Sequence, residues 1–106
     1  MNLLVEESEF VFCDVQDIVR SLRRRSPAAA NRFVTEFRAT VDFLAAMPGV
    51  GRPRPEFGIA GLRSWRVEGF RKHLLFYEEG PDRIRILRVL HGSRDLQAEL
   101  GDRKAG

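Results

Sequence analysis

The chain has 106 residues, 43% of them hydrophobic and 31% charged, with a formal net charge of +3. That length supports one domain with a single modest core, and that balance excludes a disordered chain. The single cysteine, Cys13, excludes an internal disulfide and points to a reducing compartment.

Residues 2–6 read as a short strand, and no basic stretch precedes them as it would in a secretion signal. No apolar run reaches the roughly 20 residues of a membrane span. A cytoplasmic protein without membrane contact is expected. Ser8 is a candidate helix N-cap, with Glu9 and Asp14 suited to the positive end of the helix dipole. Val11, Val15, Ile18 and Leu22 then recur at intervals of three and four, one apolar stripe of an amphipathic helix. Arg23, Arg24 and Arg25 fall where a helix C-terminus favours positive charge, so this triplet needs no nucleic-acid role.

Ser26–Pro27 starts a second helix, with serine as cap and proline in the first turn. Ala30, Phe33, Val34, Phe37, Val41 and Leu44 give it a wide apolar face, and the two helices should form an antiparallel hairpin. From Pro48 to Gly61 proline and glycine are dense and periodicity disappears, which marks a loop. Strands follow at roughly 62–68, 72–79 and 83–91, the last two joined by the turn Gly80–Pro81–Asp82. Ser93 is placed to cap a short helix over 94–100, before a polar tail expected to fray.

Strict alternation in the last strand puts Ile84, Ile86, Arg88 and Leu90 on one face. Leu87, Val89 and His91 then share the other face with Arg83 and Arg85. A strand apolar on both faces must be covered on both. The hairpin covers one face; the final helix or a partner chain must cover the other.

Charge is unevenly placed. Residues 1–19 carry Glu6, Glu7, Glu9, Asp14 and Asp17 and no base, whereas residues 51–94 carry ten Lys/Arg against five Asp/Glu. A basic sheet region suits an anionic partner, either nucleic acid or an acidic polypeptide. The run His91–Gly92–Ser93–Arg94–Asp95 reads either as a catalytic set or as a strand end, a glycine turn and a helix cap. No nucleophile or second base accompanies it, which favours the structural reading. One cysteine and two separated histidines give no metal-ligand spacing, so neither metal nor cofactor is expected.

An ordered set of short motifs resembles the ParE branch of the RelE/ParE toxin superfamily. It runs through Ser8, Asp14 and Ile18, then Ser26–Pro27–Ala28–Ala29 and Arg32–Phe33. Pro48, Gly51–Arg52, Arg54–Pro55–Glu56 and Gly61–Leu62–Arg63–Ser64–Trp65 come next. Gly69–Phe70, Leu74–Leu75–Phe76–Tyr77 and Ile86 through Asp95 complete it. Val11 in place of a usual alanine and Arg66 in place of a frequent proline are departures. The resemblance implies a single α+β toxin domain over residues 1–106. In it an antiparallel-dominated four-stranded sheet packs on an N-terminal helical hairpin, with a short C-terminal helix, in the order βααβββα.

The resemblance implies two mechanisms. RelE-like relatives cut messenger RNA on the ribosome, which needs a base, an acid and cations around the phosphate. Here Arg66, His73, His91 and Arg94 are the candidates for that set. However, Leu74 stands where a strand arginine is expected, and no tyrosine or histidine follows His91. ParE-like relatives instead bind DNA gyrase and stabilise its cleaved-DNA state, and Arg94 is then the candidate contact with the target. A relative that keeps only antitoxin binding is the third reading. Each implies a ParD-like antitoxin with an acidic, flexible C-terminal segment, whose carboxylates would meet Arg63, Arg66, Arg71 and Arg88. Operator DNA would be bound chiefly through that antitoxin.

Overall fold

The computed structural model describes residues 2–104. After strand β1 (Leu4–Glu7), helix α1 spans Val11–Arg25 and helix α2 spans Pro27–Ala46. Ser26 serves both helices. Its N–H donates to the Leu22 carbonyl at 2.8 Å, closing α1, while its Oγ accepts from the Ala29 amide at 3.2 Å, capping α2. Pro27 takes the position whose amide needs no partner.

Ser8 does not cap α1, which begins three residues later without a side-chain cap. Its hydroxyl donates to the Leu87 carbonyl at 2.6 Å and its amide donates to the Ile86 carbonyl at 2.9 Å, so Ser8 is spent on the sheet.

The remaining strands are β2 (Arg52–Pro53), β3 (Leu62–Val67), β4 (Phe70–Glu79) and β5 (Arg83–His91), and helix α3 (Leu96–Lys104) is the last described element. Their order in the sheet is β1-β5-β4-β3-β2, with β1 parallel to β5 and every other pairing antiparallel. The sheet therefore has five strands, not four. The extra one is two residues long, too short to show a period, and Pro53 is tolerated there because β2 is an edge.

A bulge overturns the expected faces of β5. Tyr77 pairs with Ile86 and Phe76 with Arg88, leaving Leu87 as the extra residue. Val89 consequently joins Ile84 and Ile86 in the core under the hairpin, together with Phe33, Phe37, Val41 and Leu44. Leu90 turns to the opposite face, into a second cluster with Phe57, Leu62, Phe76 and Leu100. That face is covered from within the chain. Phe57 and Ile59 come from the 48–61 loop, which is ordered into two short 3-10 turns, and Leu96 and Leu100 come from α3.

Asp95 caps α3, accepting from the Ala98 amide at 3.2 Å, so the helix starts later than a Ser93 cap implies. It continues through Lys104, past the expected end at residue 100; the last two residues of the expected tail lie outside the described residues. Tyr77 pins the loop that follows α2. Its hydroxyl donates to the Pro48 carbonyl at 2.6 Å and accepts from the Gly51 amide at 2.9 Å. A Cβ on Gly51 would collide with the Tyr77 ring and hydroxyl, so only glycine fits this approach. Among the described residues no helix is long and apolar enough to cross a membrane.

Candidate functional site

Asp14 lies on the apolar stripe of α1, between buried Val11 and Ile18, an acid where the helix period asks for a hydrophobe. The burial is satisfied by Arg88. Arg88 Nε donates to Asp14 Oδ2 and Nη2 to Oδ1, both at 2.7 Å, and the Val89 amide adds a third bond at 3.0 Å. Arg88 Nη1 also reaches the Glu99 carbonyl at 3.2 Å. Both side chains are almost fully buried, at 6% and 8% exposure. The hydrogen bonds to Asp14 raise the Arg88 pKa above its ordinary value. One ion pair therefore ties α1, β5 and α3 together. Arg88 is thus not a surface contact for antitoxin carboxylates: its guanidinium is already held inside the molecule.

Beside this pair lies a polar cleft of about 470 Å³, lined by Asp17 and Ser21 of α1, His73, His91, Ser93 and Arg94 among others. Three of the four nuclease candidates thus share one cleft. Arg66 does not join them. It pairs across from Leu74, whose side chain packs in the second apolar cluster, and projects from that same face of the sheet.

The histidines are poorly placed for phosphate chemistry. Their ring centroids are 5.1 Å apart, edge to face, which leaves no room for a phosphodiester between them. The His91 Nδ1 accepts from the Ser93 amide at 3.0 Å, and a neutral ring therefore carries its proton on Nε2. This is the strand-end role expected of a structural histidine. His73 packs against Phe33 and Phe70, and its buried Nδ1 has no hydrogen-bond partner among the described residues. Burial first, then the neighbouring His91, lowers its pKa to about 4. At neutral pH it is an uncharged, weakly basic ring. Arg94 is exposed and only loosely paired with Glu99 at 3.5 Å, so it stays available to an external anion. Among the described residues no group of three His, Cys, Asp or Glu could hold a metal.

The other sheet arginines do not form one surface. Arg63 points to the helix side, where its Nη1 holds the Gly51 carbonyl at 2.8 Å beside Tyr77. Arg66 and Arg71 are exposed near the β3–β4 turn. Sequence periodicity also concealed a groove of about 610 Å³ between α1 and α2. Val11, Val15, Val19, Val34 and Phe37 line it, and Arg20, Arg23, Arg24 and Arg38 are at its rim. Val34, counted with the core by spacing, is 41% exposed there, and Phe12 is 69% exposed. These exposed apolar side chains are the signal a partner surface leaves.

Comparison with known proteins decides the family. Residues 13–96 match the model of the ParE toxin of type II toxin–antitoxin systems, parDE. The chain belongs to the ParE toxin family. Toxin ParE1 of Caulobacter vibrioides is 35% identical over 89 residues, which cover 83% of this chain and 88% of that protein. A solved chromosomal ParDE toxin–antitoxin system from P. aeruginosa has the same fold. Its TM-score is 0.70 at 21% identity, and the match covers 84% of this chain and 95% of that one. As a ParE toxin the chain is the toxin component of a type II system and has an antitoxin as its partner. The hairpin groove and the polar cleft are two surface features of this ParE toxin open to other molecules.

Proposed function

We infer that this ParE toxin acts by binding DNA gyrase and stabilising its cleaved-DNA state, without chemistry of its own. The observation that supports this most is the composition of the polar cleft. His73 is half-buried and weakly basic and His91 is committed to Ser93, while Leu74, at the position of the strand arginine that the nuclease reading needs, packs in an apolar cluster outside the cleft. A ribose 2′-hydroxyl brought to this cleft would find neither histidine ready to act as its base and no cation cage. Arg94, at the cleft mouth, is the residue assigned to target contact.

The antitoxin is ParD-like and docks on the helical hairpin. Apolar residues of its flexible C-terminal segment fill the groove over Phe12, Val15 and Val34, and its carboxylates meet Arg23 and Arg24 and compete with Asp17 and Glu7 for the exposed Arg20 and Arg38. Arg88 and Arg63 are left out of that contact because both are engaged internally. Operator DNA is then held mainly by the antitoxin. Induction in cells tests the reading. Growth should stop with accumulation of gyrase-linked broken DNA and without new messenger RNA ends. Ribosome-dependent cuts in messenger RNA would instead favour the nuclease reading, and unimpaired growth would favour a relative that only binds antitoxin.

A further inference from the structure

The β3–β4 hairpin contains an irregularity with an electrostatic result. Val67 pairs with Phe70, but Arg66 already pairs with Leu74, so residues 71–73 have no partner on β3. Bulges of this kind re-aim side chains out of the sheet. Here they leave Arg71 and Lys72 exposed beside the exposed Arg66. Helix α2, packed on the face of the sheet opposite to Arg66, adds a fourth cation at this edge: the Arg32 guanidinium carbon sits 5.1 Å from the centre of the Phe70 ring. Among the described residues none of Arg66, Arg71 and Lys72 has an ion pair or side-chain hydrogen bond, and Arg32 has only its aromatic contact. The nearby acids are Glu68 in the turn and Glu36 one helical turn beyond Arg32; neither is ion-paired with these cations. At the β4–β5 turn, by contrast, the cations Arg83 and Arg85 are paired with Glu6 and Asp82, and Glu78 and Glu79 lie beside them.

We propose that this basic pole, centred on Arg32, Arg66, Arg71 and Lys72, contacts the phosphate backbone of duplex DNA, a role that rests on the gyrase reading and places the toxin against the DNA that gyrase holds. The competing occupant is an acidic polypeptide, and the surface chemistry separates the two. A segment that folds on binding needs apolar surface to offset its ordering. The exposed large hydrophobic residues are Leu4, Val5, Phe12, Val34, Phe43, Met47 and Val50, and none belongs to the β3–β4 turn. A phosphate backbone asks only for positive charge and counterion release.

Anisotropy of a labelled 30-base-pair duplex, titrated with the purified toxin in the absence of gyrase, tests the proposal. Each neutralised phosphate contributes a slope of about −0.9 in log K against log salt, so two to four contacts give about −2 to −3.5. Affinity should then fall roughly 15- to 130-fold between 50 and 200 mM salt. The triple substitution Arg66→Gln, Arg71→Gln and Lys72→Gln changes only exposed positions. It should weaken duplex binding at least tenfold and flatten the slope, while leaving antitoxin affinity within about threefold. Salt-independent or undetectable duplex binding overturns the proposal. So does a triple variant that loses antitoxin affinity and keeps its DNA affinity, which would assign the pole to an acidic polypeptide. Gyrase enters only as a separate arm. Intact duplex binding with gyrase unaffected would end the gyrase reading and leave the DNA-contacting pole standing.

Discussion

Replacing Arg88 by Met keeps the length of the side chain and removes its charge, leaving the Asp14 carboxylate 92% buried with only the Val89 amide as donor. Two charge-assisted bonds of 2.7 Å are lost, each contributing about 1.5–3 kcal/mol. An unpaired buried charge of this kind typically costs about 3–5 kcal/mol. Against the roughly 5–15 kcal/mol that holds a domain folded, that is a large fraction. Urea unfolding followed by circular dichroism should show the midpoint falling accordingly. The double variant Asp14→Leu with Arg88→Met removes both charges and should recover at least half of the loss, because apolar replacement of a whole buried pair is often near neutral. The Val89 amide loses its acceptor in that variant, so full recovery is not expected. A loss below about 1 kcal/mol for Arg88→Met, or a double variant less stable than either single one, would refute the assignment of this pair as the tie between α1, β5 and α3.

Phe12→Asp and Val34→Asp should each weaken antitoxin binding by about 2 kcal/mol or more, as expected for the centre of an interface, with stability unchanged within about 0.5 kcal/mol; calorimetric titration and thermal melts read the two effects. The His73 ring, with its pKa lowered to about 4, stays neutral in the folded state while the unfolded chain takes up a proton near pH 6.5. Its contribution is therefore complete above pH 6.5 and drains away as the pH falls towards 4. The full shift corresponds to about 3 kcal/mol, reduced to roughly 1–2 by solvent screening of a half-buried ring. Unfolding midpoints measured from pH 7 to 4 should fall accordingly, and His73→Phe should flatten that dependence. Tyr77→Phe strands the Pro48 carbonyl and Gly51 amide at a cost of about 1–3 kcal/mol, and Gly51→Ala forces a collision with the same ring; denaturant titration of both variants checks the pin.

The helical hairpin was legible because two signals agree: three-four spacing in each helix, and Ser26–Pro27 between them. The faces of β5 were not, because a period of two holds only for an unbroken ladder, and the Leu87 bulge leaves no mark in composition. Asp14 is the instructive case. Its place on the stripe of Val11 and Ile18 was visible in the sequence, and an acid on a core face demands a buried cation. That demand could have drawn Arg88 out of the surface set before any coordinates. Val34 failed in the opposite direction, since helical spacing cannot tell a residue packed on the sheet from one lining a groove between helices. The gathering of His73, His91 and Arg94 was partly readable from the strand order, but the ring-on-ring contact that disables the pair depends on side-chain placement alone.

The most direct measurement is supercoiling and cleavage by purified gyrase with increasing toxin, with and without an equimolar antitoxin. Inhibition of supercoiling together with accumulation of linear, enzyme-linked DNA, reversed by the antitoxin, is the predicted result. Unchanged supercoiling and cleavage at micromolar excess of toxin would contradict the account.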